Sequence, residues 1–318
     1  MYRDGRRFPG LFKLLVQYPL EAFFVCLLIG FLSVLPVDWA SNLGARVGRR
    51  FGPRLGATRR ARRNLALAMP ALDDAAREAI IIEMWDNLGR TIAEYPHIGR
   101  IWRQKDKRIE TVGFENYQHM KNGDQPCIFV SGHLANWELP QCAAKEYGEP
   151  LGLIYRRTNN PLVNAILLWL RRPTGATFFH KGPEGAKKSM RHLRNGGHLG
   201  LLVDQKLNEG VLVPFMGIPA RTAPAYAALA LKLNCKLIMV RTERLEGCRF
   251  RISVTETLSL PNTGDREADT LTILTNVNQQ LDAWIRERPA QWLWIHKRWP
   301  DDARSVVDLN TEQVTQEP

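Results

Sequence analysis

His133 and Glu138, in the run His133-Leu134-Ala135-Asn136-Trp137-Glu138, are the residues whose types and spacing best suit catalysis. Imidazole is the one side chain whose unperturbed pKa suits proton abstraction near neutral pH. A carboxylate on its far ring nitrogen would fix the tautomer and stabilise the imidazolium. Five residues along a regular helix rotate by about 500°, so the two side chains would not share a helix face. They meet only if His133 sits on a turn ahead of a helix and Glu138 lies in its first or second turn. The pattern alone is short, and a surface histidine near a helix start with an unrelated acid gives the same letters.

The elements around the pair fit that requirement. Cys127-Ile128-Phe129-Val130-Ser131-Gly132 reads as a buried strand leaving through a turn, and the residues after it have helix-forming composition. Strand-to-helix turns are where α/β proteins often keep their chemistry. Further strands are expected at 108–112, 151–155, 177–179, 199–203, 237–242 and 250–254, the last two joined through Glu246-Gly247. Helices are expected at 56–70, 72–98, 114–121, 161–170, 184–194, 223–233 and 268–288. Strands alternating with helices argue an α/β fold: a mixed, mostly parallel sheet flanked by helices. Three regions are expected. Residues 1–50 form an N-terminal membrane anchor with a basic flank, 51–300 the catalytic domain, and 301–318 a polar tail read as disordered.

The anchor reading rests on Ala22 to Val37, 16 residues without a charge between Glu21 and Asp38. Extending back to Leu14 brings the stretch to roughly the 20 residues a spanning helix needs. Tyr18 and Trp39 sit near its ends, as interfacial anchors do. The segment starts late for a signal peptide and lacks a clear cleavage site, so an uncleaved helix, spanning or interfacial, is expected. The run Arg59-Arg60-Ala61-Arg62-Arg63 could then rest on anionic headgroups.

The net charge of +12 is unevenly placed. Residues 156–206 carry 10 Lys/Arg against 2 Asp/Glu, which suggests an anionic contact beyond an ordinary solvated face. The five cysteines are scattered and without metal-ligand spacing, so they read as reduced thiols in a cytosol-facing protein. His192 and His198 have no nearby Cys or paired acids, and no metal is expected.

Four features together resemble the late acyltransferases of lipid A biosynthesis, within the wider lysophospholipid and glycerol-phosphate acyltransferase group. They are the HxxxxE run after an apolar strand, Tyr155-Arg156 with Asn159-Asn160, Val203-Asp204-Gln205, and the closing Gln291-Trp292-Leu293-Trp294-Ile295-His296-Lys297-Arg298-Trp299. The resemblance runs from the N-terminal hydrophobic segment to about Pro300. It implies a glycerol-phosphate-acyltransferase-like fold at the cytoplasmic face of a bacterial inner membrane. It also implies transfer of a fatty acyl chain from acyl carrier protein to a hydroxyacyl chain of a Kdo-bearing lipid A precursor. By position, His133 matches the catalytic histidine and Glu138 its acidic partner. Arg171 or Arg172, Asp204 and Arg156 become candidate substrate-binding residues. The family often spaces its arginines by one residue, whereas here they are adjacent, so both stay open. No cofactor is implied beyond the carrier-protein thioester. The expected partners are acyl carrier protein, the lipid A precursor and membrane lipids, without nucleic acid.

In the implied reaction His133 takes the proton of the acceptor hydroxyl, Glu138 orients the ring, and N–H groups at the helix start after Gly132 stabilise the oxyanion. Asp204 could accept from sugar hydroxyls or fix an arginine. The alternatives are a lysophospholipid or glycolipid acyltransferase using acyl-CoA, and a non-catalytic anionic-lipid binder. A binder leaves the HxxxxE turn unexplained. A hydrolase is the nearest enzymatic rival, but no GxSxG elbow occurs, and Ser131 lies too close to His133 for an ordinary nucleophile–base pair.

Overall fold

The computed structural model describes residues 2–3, 6–7, 10–118, 125–146, 148 and 150–300. The expected tail at 301–318 and the end of the expected helix at 114–121 lie outside the described residues.

The N-terminal apolar run forms one helix. A π-helical entry at Lys13–Gln17 leads into α1 (Tyr18–Val34). Together they make 22 residues, whose most apolar 18-residue window has a mean hydropathy of 1.9 and is only 6% buried. That length and composition suffice to cross a membrane. Pro36 ends the helix, and α2 (Val37–Phe51), an element the sequence reading does not anticipate, turns back into the body of the protein. There it packs against α4 (Asp74–Glu94), which follows α3 (Gly56–Ala68) and is capped by Asp73 accepting from the Ala76 N–H at 2.7 Å. The two backbones almost touch, because a Cβ built on Gly48 would stand 2.0 Å from the Trp85 carbonyl oxygen. Gly48→Ala should therefore push the helices apart and lower stability by about 1–3 kcal/mol, read as a fall in Tm.

Seven strands form the main sheet: β1 (Ile109–Val112), β2 (Cys127–Ser131), β3 (Leu151–Tyr155), β4 (Thr177–His180), β5 (His198–Leu202), β8 (Lys236–Glu246) and β9 (Arg249–Thr257). Their order is β1-β9-β8-β2-β5-β3-β4, and every pair is parallel except the β8–β9 hairpin. The mixed, mostly parallel sheet expected from the alternating elements is thus present. β2 is central and its alternate residues feed opposite layers. Ile128 and Val130 join a core with α3, α4 and the long helix at Arg266–Glu287, while Cys127 and Phe129 join one with Ile98 and Ile101. A strand buried on both faces reads as one unbroken apolar run, which is why it is legible in the sequence.

The helices that matter for the site are α5 (Pro140–Glu146), α6 (Pro161–Leu170) and α7 (Pro183–Arg194). Asn160 caps α6, accepting from the Leu162 and Val163 N–H groups, and ties it to α1 by donating to the Tyr18 carbonyl and the Glu21 carboxylate. A separate hairpin, β6 (Val211–Phe215) with β7 (Ile218–Thr222), is also unanticipated. Pro214 and Pro219 face one another across it and hide its strand character in the sequence.

Candidate active site

β2 and β5 are parallel neighbours, with Ser131 opposite Leu202. Two residues beyond each lie His133 and Asp204, so the register itself brings them side by side at the carboxyl edge of the sheet. His133 Nδ1 is 2.8 Å from Asp204 Oδ1, and the His133 backbone N–H donates to Asp204 Oδ2 at 2.9 Å. The Trp292 indole N–H donates to the same Oδ2 at 2.8 Å. Asp204 is wholly buried, whereas the His133 side chain keeps 15% of its exposure. Burial alone would raise the Asp204 carboxyl, but the His133 charge and hydrogen bonds, helped by Trp292, hold it well below the usual carboxylate range. A buried carboxylate on Nδ1 leaves the lone pair of His133 on Nε2, which is the form a general base needs.

This corrects the expected pairing of His133 with Glu138. The helix does not begin after Gly132 but at Pro140, and residues 132–139 form an irregular loop. Within it Ala135 takes a left-handed φ of 47°, held by its N–H on the Gln291 carbonyl and its own carbonyl on the Thr91 hydroxyl. Asn136 donates to the buried Glu94 at 2.9 Å. Beyond these anchors Glu138, 1% exposed, is taken up by other groups. Arg171 donates to it through Nε at 3.1 Å and Nη2 at 2.5 Å, Gln141 donates at 2.9 Å, and the Tyr95 hydroxyl donates to Oε1. The Arg171 guanidinium also lies 5.5 Å from the Tyr95 and Phe178 ring centroids. Burial and the Glu138 charge push the Tyr95 hydroxyl well above its ordinary value.

The remaining expectations sort by the same geometry. Asp204 is spent on His133 instead of on sugar hydroxyls or an arginine. Arg171, expected to hold a substrate anion, is bonded here to Glu138 and Tyr95 and keeps 20% of its side-chain exposure; Arg172, beside it, is exposed. Arg156 is exposed just past the carboxyl end of β3, with Arg157 and Lys181. The expected backbone oxyanion donors are committed, with the N–H groups of His133, Leu134 and Ala135 bonded to Asp204, Gly132 and Gln291.

Sequence reasoning also missed three contributors. Tyr95 gave no signal. Gln205 and His296 lie within the motifs that carry the family resemblance, but local pattern gives neither a role. The Gln205 amide nitrogen stands 3.1 Å from His133 Nε2 and 2.9 Å from His296 Nε2. The two imidazole centroids are 5.2 Å apart. Burial and the His133 charge lower His296 to about 4.

Fold and site together define an α/β protein with a histidine–aspartate pair, its aspartate buried, at the carboxyl ends of adjacent parallel strands and a membrane-length helix near its N-terminus. The family model described as bacterial lipid A biosynthesis acyltransferase matches residues 11–301, and the chain belongs to that family. It is therefore an acyltransferase of lipid A biosynthesis. The lipid A biosynthesis myristoyltransferase of Escherichia coli (strain K12) is 25% identical over 271 residues, covering 84% of this chain and 82% of its own. The lauroyltransferase of the same organism is 22% identical over 247 residues, covering 74% and 77%. Among solved structures, the 1-acyl-sn-glycerophosphate acyltransferase PlsC from Thermotoga maritima matches with 13% identity and a TM-score of 0.36, covering 78% of this chain and 95% of that one.

Proposed function

We propose that this chain moves a fatty acyl group from the thioester of acyl carrier protein to a hydroxyacyl chain of a Kdo-bearing lipid A precursor, at the cytoplasmic face of a bacterial inner membrane. The observation that carries the chemistry is the pairing of part-exposed His133 with wholly buried Asp204, which engages Nδ1 and leaves Nε2 as the base nitrogen. His133 Nε2 takes the proton as the acceptor hydroxyl oxygen attacks the thioester carbon, and Asp204 stabilises the imidazolium. The tetrahedral intermediate expels the thiolate, which takes the same proton back from His133. Glu138 serves as the buried counter-charge of Arg171, which anchors the loop that carries His133.

The acceptor and donor readings rest on charge and surface. Exposed Arg156, Arg157 and Lys181 at the carboxyl edge of the sheet suit an anionic headgroup. Lys187, Lys188, Arg191 and Arg194 on α7 are exposed and suit an acidic carrier protein, though Lys188 also pairs with Glu184. Exposed Phe23, Phe24, Leu27, Leu28 and Phe31 on α1, with Leu162 and Trp169 on the neighbouring α6, favour a bilayer setting for an acceptor that is itself a lipid.

The test presents purified protein with a tetra-acylated, Kdo-bearing precursor and parallel thioesters of acyl carrier protein and coenzyme A, read by mass spectrometry with His133→Ala as control. A gain of one acyl chain from the carrier thioester, lost in the control, is expected. Equal turnover from the coenzyme A thioester would overturn the donor assignment. Acylation of a lysophospholipid alone would overturn the acceptor assignment.

A further inference from the structure

An amide nitrogen carries two protons and no lone pair, so the Gln205 side chain can sit between two ring nitrogens only if both accept. Its distances of 3.1 Å to His133 Nε2 and 2.9 Å to His296 Nε2 are those of hydrogen bonds. His133 meets the condition because Asp204 holds the proton on Nδ1. His296 meets it because burial lowers it, to about 4, so it is neutral at working pH. Its backbone is fixed as well, the Asn64 side chain donating to the His296 carbonyl at 2.7 Å. The base lone pair is therefore already engaged, at the distance where an acceptor hydroxyl must sit.

We propose that Gln205 is a latch on the general base. Held by His296, its carboxamide occupies His133 Nε2 until the lipid acceptor displaces it, and so keeps water from being activated against the thioester donor. The step it suppresses is hydrolysis: water adds to the thioester carbon as His133 takes its proton, the carbon–sulfur bond breaks, and the thiolate leaves as thiol with the proton returned by His133. A bound acceptor can use its binding free energy to displace the carboxamide, a ground-state cost that falls on binding more than on the chemical step. Loosely held water has no comparable source. This inference rests on His133 being the base.

The test uses the full chain in detergent, with the acyl carrier protein thioester as probe. Thiol release is measured without lipid, and acyl transfer at saturating acceptor, for wild type, Gln205→Met and Gln205→Ala. Methionine keeps the volume and removes both donors. The ratio of hydrolysis to transfer should rise roughly two- to tenfold in both variants, the worth of one hydrogen bond. An unchanged ratio, with both rates falling in parallel, would overturn the latch and leave Gln205 a packing residue. The two readings fail separately. If His133→Ala still transfers acyl groups, the base assignment is wrong; if His133→Ala is inactive and the Gln205 ratio is unchanged, only the latch is wrong.

Discussion

Asp204→Asn should lower kcat for acyl transfer by about 10²–10⁴-fold at pH 7, the range that general-base assistance typically supplies. The substitution changes almost no volume, so the loss comes from hydrogen-bond direction. Asp204 Oδ2 accepts from the His133 backbone and the Trp292 indole, and Oδ1 meets His133 Nδ1. If the asparagine oxygen keeps the two N–H donors, its NH2 group faces Nδ1 and drives the ring proton onto Nε2, removing the base lone pair. If the amide turns the other way, two buried N–H groups lose their acceptor, which costs about 1–3 kcal/mol each. The effect should fall on kcat more than on KM for the lipid, because Asp204 touches the base and is fully buried. Stability carries a second signature. Since the folded carboxyl is held below its ordinary value, its contribution is complete above the unfolded pKa of about 4 and is lost as pH falls below it. The variant should therefore show a smaller loss of stability than wild type on acidification. Were Glu138 the true partner of His133, Asp204→Asn would be mild and Glu138→Gln would carry the kinetic loss.

How far the sequence reaches follows from the range of the forces involved. Strand β3 and helix α6 were legible to the residue, because LGLIY is a short apolar run and Asn160-Pro161 starts a helix by local rules. Asp204 was visible as a strand-end acid but not as the partner of His133, 71 residues away. That pairing depends on which strands are neighbours, and local pattern does not encode strand order. Glu138 misled for the converse reason: it is close in sequence, and proximity suggested contact. The left-handed turn at Ala135 and the late start of α5 redirect the chain between the two. The tryptophan-rich ending marked the family without revealing its work. Trp292 bonds to Asp204, Gln291 clamps the backbone of Arg244, and Arg298 and Trp299 hold the β6–β7 hairpin through Arg221, Thr222 and Phe215.

Glu138→Ala should destabilise the protein by about 3–5 kcal/mol, because it strands a buried guanidinium. Arg171 is 20% exposed at its side chain and Glu138 only 1%, so water cannot take over the charge fully. The Tyr95 hydroxyl loses its acceptor in the same change. A purely catalytic role for Glu138 predicts something different: normal stability with an inactive site. The compensating variant separates the two. Combining Glu138→Leu with Arg171→Met and Tyr95→Phe replaces the whole polar cluster by apolar groups, which for buried ion pairs is often neutral or better. At least half of the stability lost in Glu138→Ala should return, as read by denaturant unfolding of the purified proteins. Activity should follow that recovery in part, since the loop from His133 to Leu139 is also pinned at Ala135 and Asn136 by Thr91, Gln291 and Glu94. A triple variant that is stable yet as inactive as His133→Ala would return Glu138 to the chemistry itself. A single variant of unchanged stability would remove the anchoring role.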